Sequence, residues 1–218
     1  MVVLAVECSL LFLALPIFVT LIRRKVNPIV LLIGVSTIAL AILLRDPTFN
    51  RRELWQIDRL SHEMTLILTL WALSTLAMIA LVRVMHRESL FRFPRESQRL
   101  WAKVMLFYPI LSVIPQTIIF RAFFMHRYAP LFGSGWEMIY IAAFAFGWAH
   151  IVFRHPLPVI LTTAIGILFS WRFAMTHSAP ISAMEHALYG NMVFTVGLGK
   201  YFYHGSQRLL ARVVERPT

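Results

Sequence analysis

The sequence predicts an all-α, polytopic transmembrane helical bundle of about seven spans, within a range of six to eight. Three observations predict it. Of 218 residues, 59% are hydrophobic and 14% charged, too little charged surface for a water-soluble domain built around one core. The apolar residues fall in runs close to the roughly 20 residues that a helix needs to cross about 30 Å of hydrocarbon. Between the runs there is no long linker, low-complexity tract or internal repeat, so the chain reads as one bundle without a separate soluble domain.

The first run, 2–22, reads as a retained span: Arg23, Arg24 and Lys25 follow it and no charged region precedes it, the reverse of a secretory signal. A second run covers 28–44 and a third 62–84. The segment 86–100 reads as a basic amphipathic stretch at the headgroups, anchored by Leu90, Phe91 and Phe93, with an ordinary solvated loop as the alternative. The fourth run, 101–131, is too long for one straight crossing. It contains Pro109 and Pro115, each of which removes a backbone donor and crowds the preceding turn, so a kink or break near 109–115 is expected. Spans over 136–153, 157–173 and 180–203 complete the set. Within one structural domain, 1–100 forms the N-terminal helices and basic loop, 101–203 the core, and 204–218 a tail.

Basic residues outnumber acidic ones, 21 to 10. They sit in short segments between apolar runs, without interleaved aromatics of an RNA-binding kind, which argues for topology signals and lipid headgroup contacts and against nucleic acid. With Arg121 set aside as intramembrane, the other twenty divide fourteen to six between alternate sides, Arg172 being the one given to the sixth loop, which puts the N-terminus outside and the C-terminus in the cytoplasm. Arg45, Arg51, Arg52 and Arg59 oppose that rule. A compact, Arg-rich chain with short loops suits the inner membrane of a bacterium. The single Cys8 excludes an internal disulfide and offers no redox pattern.

Ionisable side chains inside the apolar runs include Arg121, His150 and the adjacent Glu185 and His186. Such groups cost a few kcal/mol each at membrane depth and normally face a protein-lined cavity. Thr117 and Arg121 are four residues apart, as are Phe146 and His150, so each pair shares a helix face. If the fourth and fifth spans are antiparallel across 132–135, a rise of ~1.5 Å per residue puts Arg121 ~16 Å, Gln116 ~24 Å and His150 ~21 Å from that turn. These groups can therefore meet at one level. His186, six residues into its span, joins them only if the 174–180 connection dips inward or the helix starts earlier.

Each residue has a plainer reading too. Arg121 could be an interfacial snorkeller, His150 a hydrogen-bonded core histidine, and Glu185 with His186 a packing pair that holds Arg121 as counter-ion. His155 and His177 lie in loop-like segments and read as solvated. Phe144, Phe146, Trp148 and Phe153 read as lipid-facing or packing residues. The chain has no glycine-rich phosphate loop, no His-Glu-x-x-His and no Gly-x-Ser-x-Gly. Two histidines without a third convincing ligand make a poor zinc site, so neither a metal nor any other cofactor is expected.

At these same residues the chain resembles the CAAX-protease and bacteriocin-processing (CPBP, or Abi) family of intramembrane peptidases. The family pattern is a Glu-Glu-x-x-x-Arg helix, a Phe-x-x-x-His helix, and a later helix with His followed four residues on by Asn or Asp. Here Gln116-Thr117-Ile118-Ile119-Phe120-Arg121 stands at the first, Phe146-Gly147-Trp148-Ala149-His150 at the second, and Glu185-His186 through Asn191 at the third, in order, over about 101–203. The resemblance implies hydrolysis of a membrane-embedded or membrane-anchored peptide in the bilayer. A glutamate and a histidine would activate water, while Arg121 and a second His or Asn position the carboxylate and stabilise the oxyanion.

Two departures qualify that expectation. Asn191 stands five residues after His186 instead of four, ~140° away at ~100° per residue, and Gly190 takes the expected place. The glutamates are replaced by Gln116 and Thr117, and neither an amide nor a hydroxyl is a base at neutral pH. Where relatives read Pro-Gln-Glu, this chain reads Pro115-Gln116-Thr117, one substitution away. Three readings follow: a protease fold inactive or impaired at Thr117; a protease in which Glu185 supplies the lost carboxylate; and a non-catalytic membrane binding or immunity protein that keeps the fold. Oligomeric state has no signature in the sequence.

Overall fold

A computed structural model describes residues 1–22 and 27–202. The basic triplet 23–25 and the tail expected over 204–218 lie outside the described residues. Within them there are helices and turns but no strand. Six helices are long and apolar enough to cross a membrane: α1 (Val2–Ile22), α2 (Pro28–Arg45), α3 (Leu60–Ser89), α4 (Gln98–Arg127), α5 (Trp136–Phe153) and α6 (Pro156–Thr176). A seventh helix, α7 (Ala179–Val196), has span length but carries Ser182, Glu185, His186 and Asn191. Its polar groups are tolerated because protein, not lipid, surrounds them. The chain is thus an all-α polytopic bundle, and its last helix stops at 196, short of the expected 203. Gly197, at φ 110°, ends it in the left-handed conformation that glycine accepts without penalty.

The interior is built from the C-terminal helices. In α5 and α6 the buried share of the apolar stretch is 39%, against 11% in α1 and α3. The close approach of α5 and α6 is explained by Gly147: a Cβ there would overlap Thr163, including its backbone Cα at 2.9 Å. Gly166 does the same from the other helix, with Phe146 and Ala143 within 3.3 Å of any added Cβ. The turn between them uses Arg154 in the left-handed region, Pro156 at the first helical position and His155 as N-cap, its ring accepting from the Leu157 amide at 3.1 Å. His155 is exposed in the turn, as expected, and also serves as a helix cap.

The kink expected in α4 takes another form. The helix runs on from Gln98 to Arg127 through two π-helical segments, Pro109–Val113 and Ile118–Phe123. A π turn takes in one extra residue and so accommodates the proline without breaking the rod. Between them, the short stretch Ile114–Thr117 carries Gln116 and Thr117, and the second π segment carries Arg121.

The segment between α2 and α3 folds over the α6–α7 turn. Ser178 caps α7 at the Ile181 amide and donates to the Gln56 carbonyl at 2.5 Å. Gln56 in turn donates to the His177 carbonyl. Arg59 donates to the Met175 carbonyl, and Arg51 to the Leu44 carbonyl, both at 2.8 Å. Two of the four arginines that oppose the charge rule are thus caps on helix C-termini, where orphan carbonyls and the helix dipole favour a cation. His177 is exposed, as expected for a loop residue, and lies 3.2 Å from a Glu53 oxygen.

The 86–100 segment is built of short helical pieces. It is a turn, Arg87–Ser89, followed by a short helix, Arg92–Glu96. Leu90 and Phe91 pack against the cluster of Val82, Val196 and Leu198, which anchors them in protein.

Candidate functional site

Phe146, four residues before His150 on α5, is the meeting point of the polar side chains. The Arg121 guanidinium carbon lies 4.3 Å from its ring centroid, the His150 ring 4.8 Å and the His186 ring 5.4 Å. Three helices thus deliver one side chain each to a single aromatic ring. The two imidazole centres can be no farther apart than the sum of their distances from it. The depth estimate for Arg121 and His150 agrees with this meeting. His186 joins because the α6–α7 turn lies inside the protein: Thr176 and Ser178 are buried beneath the 46–59 segment, and α7 begins at Ala179.

Arg121 is 1% exposed, which rules out the snorkelling alternative. None of its three guanidinium nitrogens has a hydrogen-bond partner in the protein. Its neighbours are aromatic, with Phe169 also at 5.6 Å. A cation over a ring is worth about 0.5–2 kcal/mol, whereas burying an ion costs several kcal/mol. The rings alone therefore do not offset the burial of the charge. One turn earlier on the same helix stands Thr117, 2% exposed.

His150 ends the α-helical part of α5. Its Nδ1 lies 2.7 Å from the Phe146 carbonyl, and since a carbonyl only accepts, Nδ1 carries the proton and Nε2 keeps its lone pair. That is the state a general base requires. His186 is 6% exposed, stacks on Phe169 at 4.6 Å, and holds Nε2 3.4 Å from the Tyr108 hydroxyl.

A cavity of about 1460 Å³ reaches this cluster. Its walls are largely apolar side chains of the seven helices, among them Leu15, Leu32, Met78, Phe107 and Phe169. Tyr108, Gln116, His150 and His186 supply polar atoms, Lys103 and Lys200 supply positive charge, and Arg92 is paired with Glu96 at 2.8 Å. The Gln116 amide donates to Ser112 at 2.6 Å while its buried oxygen is unpaired.

Two sequence candidates point elsewhere. Glu185, fully buried, is bound through both oxygens by Arg172 at 2.8 and 3.3 Å, and Arg172 also binds Glu63. Glu185 is thus not a counter-ion for Arg121, and like Thr117 and Arg121 it stands behind the cavity wall. Asn191 turns to α4, donating to the Met105 carbonyl at 3.3 Å. Arg172, counted among loop charges in the topology argument, is in fact 0% exposed within the bundle. The signal that could have found it is its opposite charge, thirteen residues before Glu185 across a tight helical hairpin. Tyr108 gave no such signal, since a tyrosine in an apolar run reads as packing. Among the described residues no three His, Cys, Asp or Glu side chains are grouped as a metal ligand set.

Residues 98–192 match the family model described as Type II CAAX prenyl endopeptidase Rce1-like. The matched stretch runs from the start of α4 into the second half of α7 and contains Gln116, Thr117, Arg121, His150, Glu185, His186 and Asn191. No curated protein and no solved structure matches the chain.

Proposed function

We propose that this chain, whose residues 98–192 match the Rce1-like CAAX endopeptidase family model, is an intramembrane endopeptidase scaffold. Its cavity receives a membrane-embedded or membrane-anchored peptide, and its hydrolytic power is impaired by Thr117. The observation that carries the reading is the buried, unpartnered Arg121 guanidinium, gathered with His150 and His186 on Phe146 and one turn from Thr117. A glutamate side chain at 117 would meet Arg121 on the same helix face, and that pairing would keep it ionised. With His150 presenting a lone pair, a carboxylate there would activate a water against a peptide carbonyl. Arg121 and His186 would then supply charge and hydrogen bonds to the oxyanion. The apolar walls suit a lipid-modified or hydrophobic peptide, the six membrane-length helices suit an integral membrane protein, and the compact, Arg-rich chain with short loops suits a bacterial inner membrane.

Replacing Thr117 by Glu tests this. In vesicles, the variant should cleave a prenylated-cysteine peptide or a membrane-spanning leader peptide faster than the parent chain, and adding His150→Ala should abolish the gain. No gain with either peptide overturns the reading.

The commitment of Glu185 to Arg172 favours a second reading over the one in which Glu185 replaces the lost base: a non-catalytic binding or immunity protein that retains the fold. In that case His150→Ala leaves the phenotype of the parent chain unchanged. The reading in which Glu185 acts as the base fails if Glu185→Gln leaves any activity intact.

A further inference from the structure

His186 has no side chain four residues after it, because position 190 is glycine. A Cβ built at Gly190 would fall on the hydroxyl and ring of Tyr108. The space that a side chain at 190 would fill is therefore occupied from the opposite helix, by the last residue of α4 before the Pro109–Val113 π segment. Tyr108 lies edge-on to His186, ring centroids 6.4 Å apart, with its hydroxyl oxygen 3.4 Å from Nε2. That separation is long, as in other sites without substrate, where hydrogen bonds tighten on complex formation. Phe194, one turn beyond Gly190, packs on the tyrosine at 5.1 Å and fixes its rotamer. Tyr108, His186 and Gly190 all face the cavity.

We propose that Tyr108 is the positioning residue for His186. Its hydroxyl donates to Nε2, holds the proton of the neutral ring on Nδ1, and takes over from α4 the place left by the missing side chain at position 190. Gly190 is the other half of the device, since only a residue without Cβ admits the phenol. The effect on turnover rests on the peptidase reading; the state of the His186 ring does not.

The test uses the full chain in nanodiscs with 15N-labelled histidine, the His186 signals being assigned by their loss in His186→Gln. The parent chain should show an unprotonated Nε2 and a protonated Nδ1. Tyr108→Phe should shift His186 toward the Nε2-protonated tautomer while the thermal midpoint stays within a few degrees of the parent. Gly190→Ala, which displaces the phenol without removing it, should shift the same signals the same way. Unchanged His186 signals in both variants overturn the proposal. In a Thr117→Glu background, Tyr108→Phe should lower kcat roughly tenfold with little change in KM, the pattern of a contact used in the transition state. If Thr117→Glu is itself inactive, the peptidase reading falls, and the 15N result still decides the role of Tyr108.

Discussion

The guanidinium of Arg121 lies 4.3 Å from the centroid of the Phe146 ring, and no protein oxygen is bonded to any of its nitrogens. Since the charge is buried at a net cost, its value to the fold should depend on the residue one turn before it. In the parent chain Arg121→Met should be neutral or stabilising. In a Thr117→Glu background the same change should destabilise, because it strands a carboxylate. A double-mutant cycle on unfolding in detergent should give a coupling of about 1–3 kcal/mol; additive effects would mean that residues 117 and 121 do not meet.

Arg172 should behave in the opposite way. It neutralises Glu185, and Glu63 as well, inside the bundle. Arg172→Met should therefore cost about 3–5 kcal/mol, the penalty for removing one partner of a buried pair. Replacing Glu185 and Glu63 by Leu in the same chain should recover much of it. Denaturant unfolding followed by helical circular dichroism measures both steps.

Gly147→Ala should push α5 from α6. Overpacking of this kind costs about 1–3 kcal/mol. Changing Thr163 to Ser should not restore stability, because the Thr163 backbone stands in the way as well as its side chain. The thermal midpoints of the single and double variants check this.

Acid should loosen the link between the α2–α3 segment and the end of α4. The Thr48 hydroxyl, then the Thr48 amide, then His126 hold the Asp46 carboxyl down at about 2, from an ordinary 3.8. A depressed carboxyl favours the fold above its unfolded value and loses that contribution as pH falls through the folded one. Between pH 4 and pH 2 the parent chain should lose thermal stability faster than Asp46→Asn; parallel curves would remove Asp46 from the account.

The spans, and the co-level placement of Arg121 and His150, were legible in the sequence because both follow from one-dimensional rules: hydropathy over about 20 residues and a constant rise per residue. The form of the bend in α4 was not. Proline announces a lost hydrogen bond, but whether the helix breaks or widens into a π turn is decided by what packs around it. Arg172 is likewise hidden in the sequence, since an arginine near the end of an apolar run looks like a loop charge until Glu185 and Glu63 close on it in the fold.

The sequence by itself determined that this is an all-α membrane bundle carrying an ordered set of polar residues. These properties reside in residue type and spacing. Only the tertiary structure decided which polar groups share a site. Glu185 and His186 are neighbours in the chain, yet a helix turns each residue about 100° from the last, so one closes an ion pair with Arg172 and the other faces Phe146 and the cavity. Tyr108 meets His186 for the complementary reason: contact across helices depends on where a glycine leaves room, and sequence distance carries no information about that.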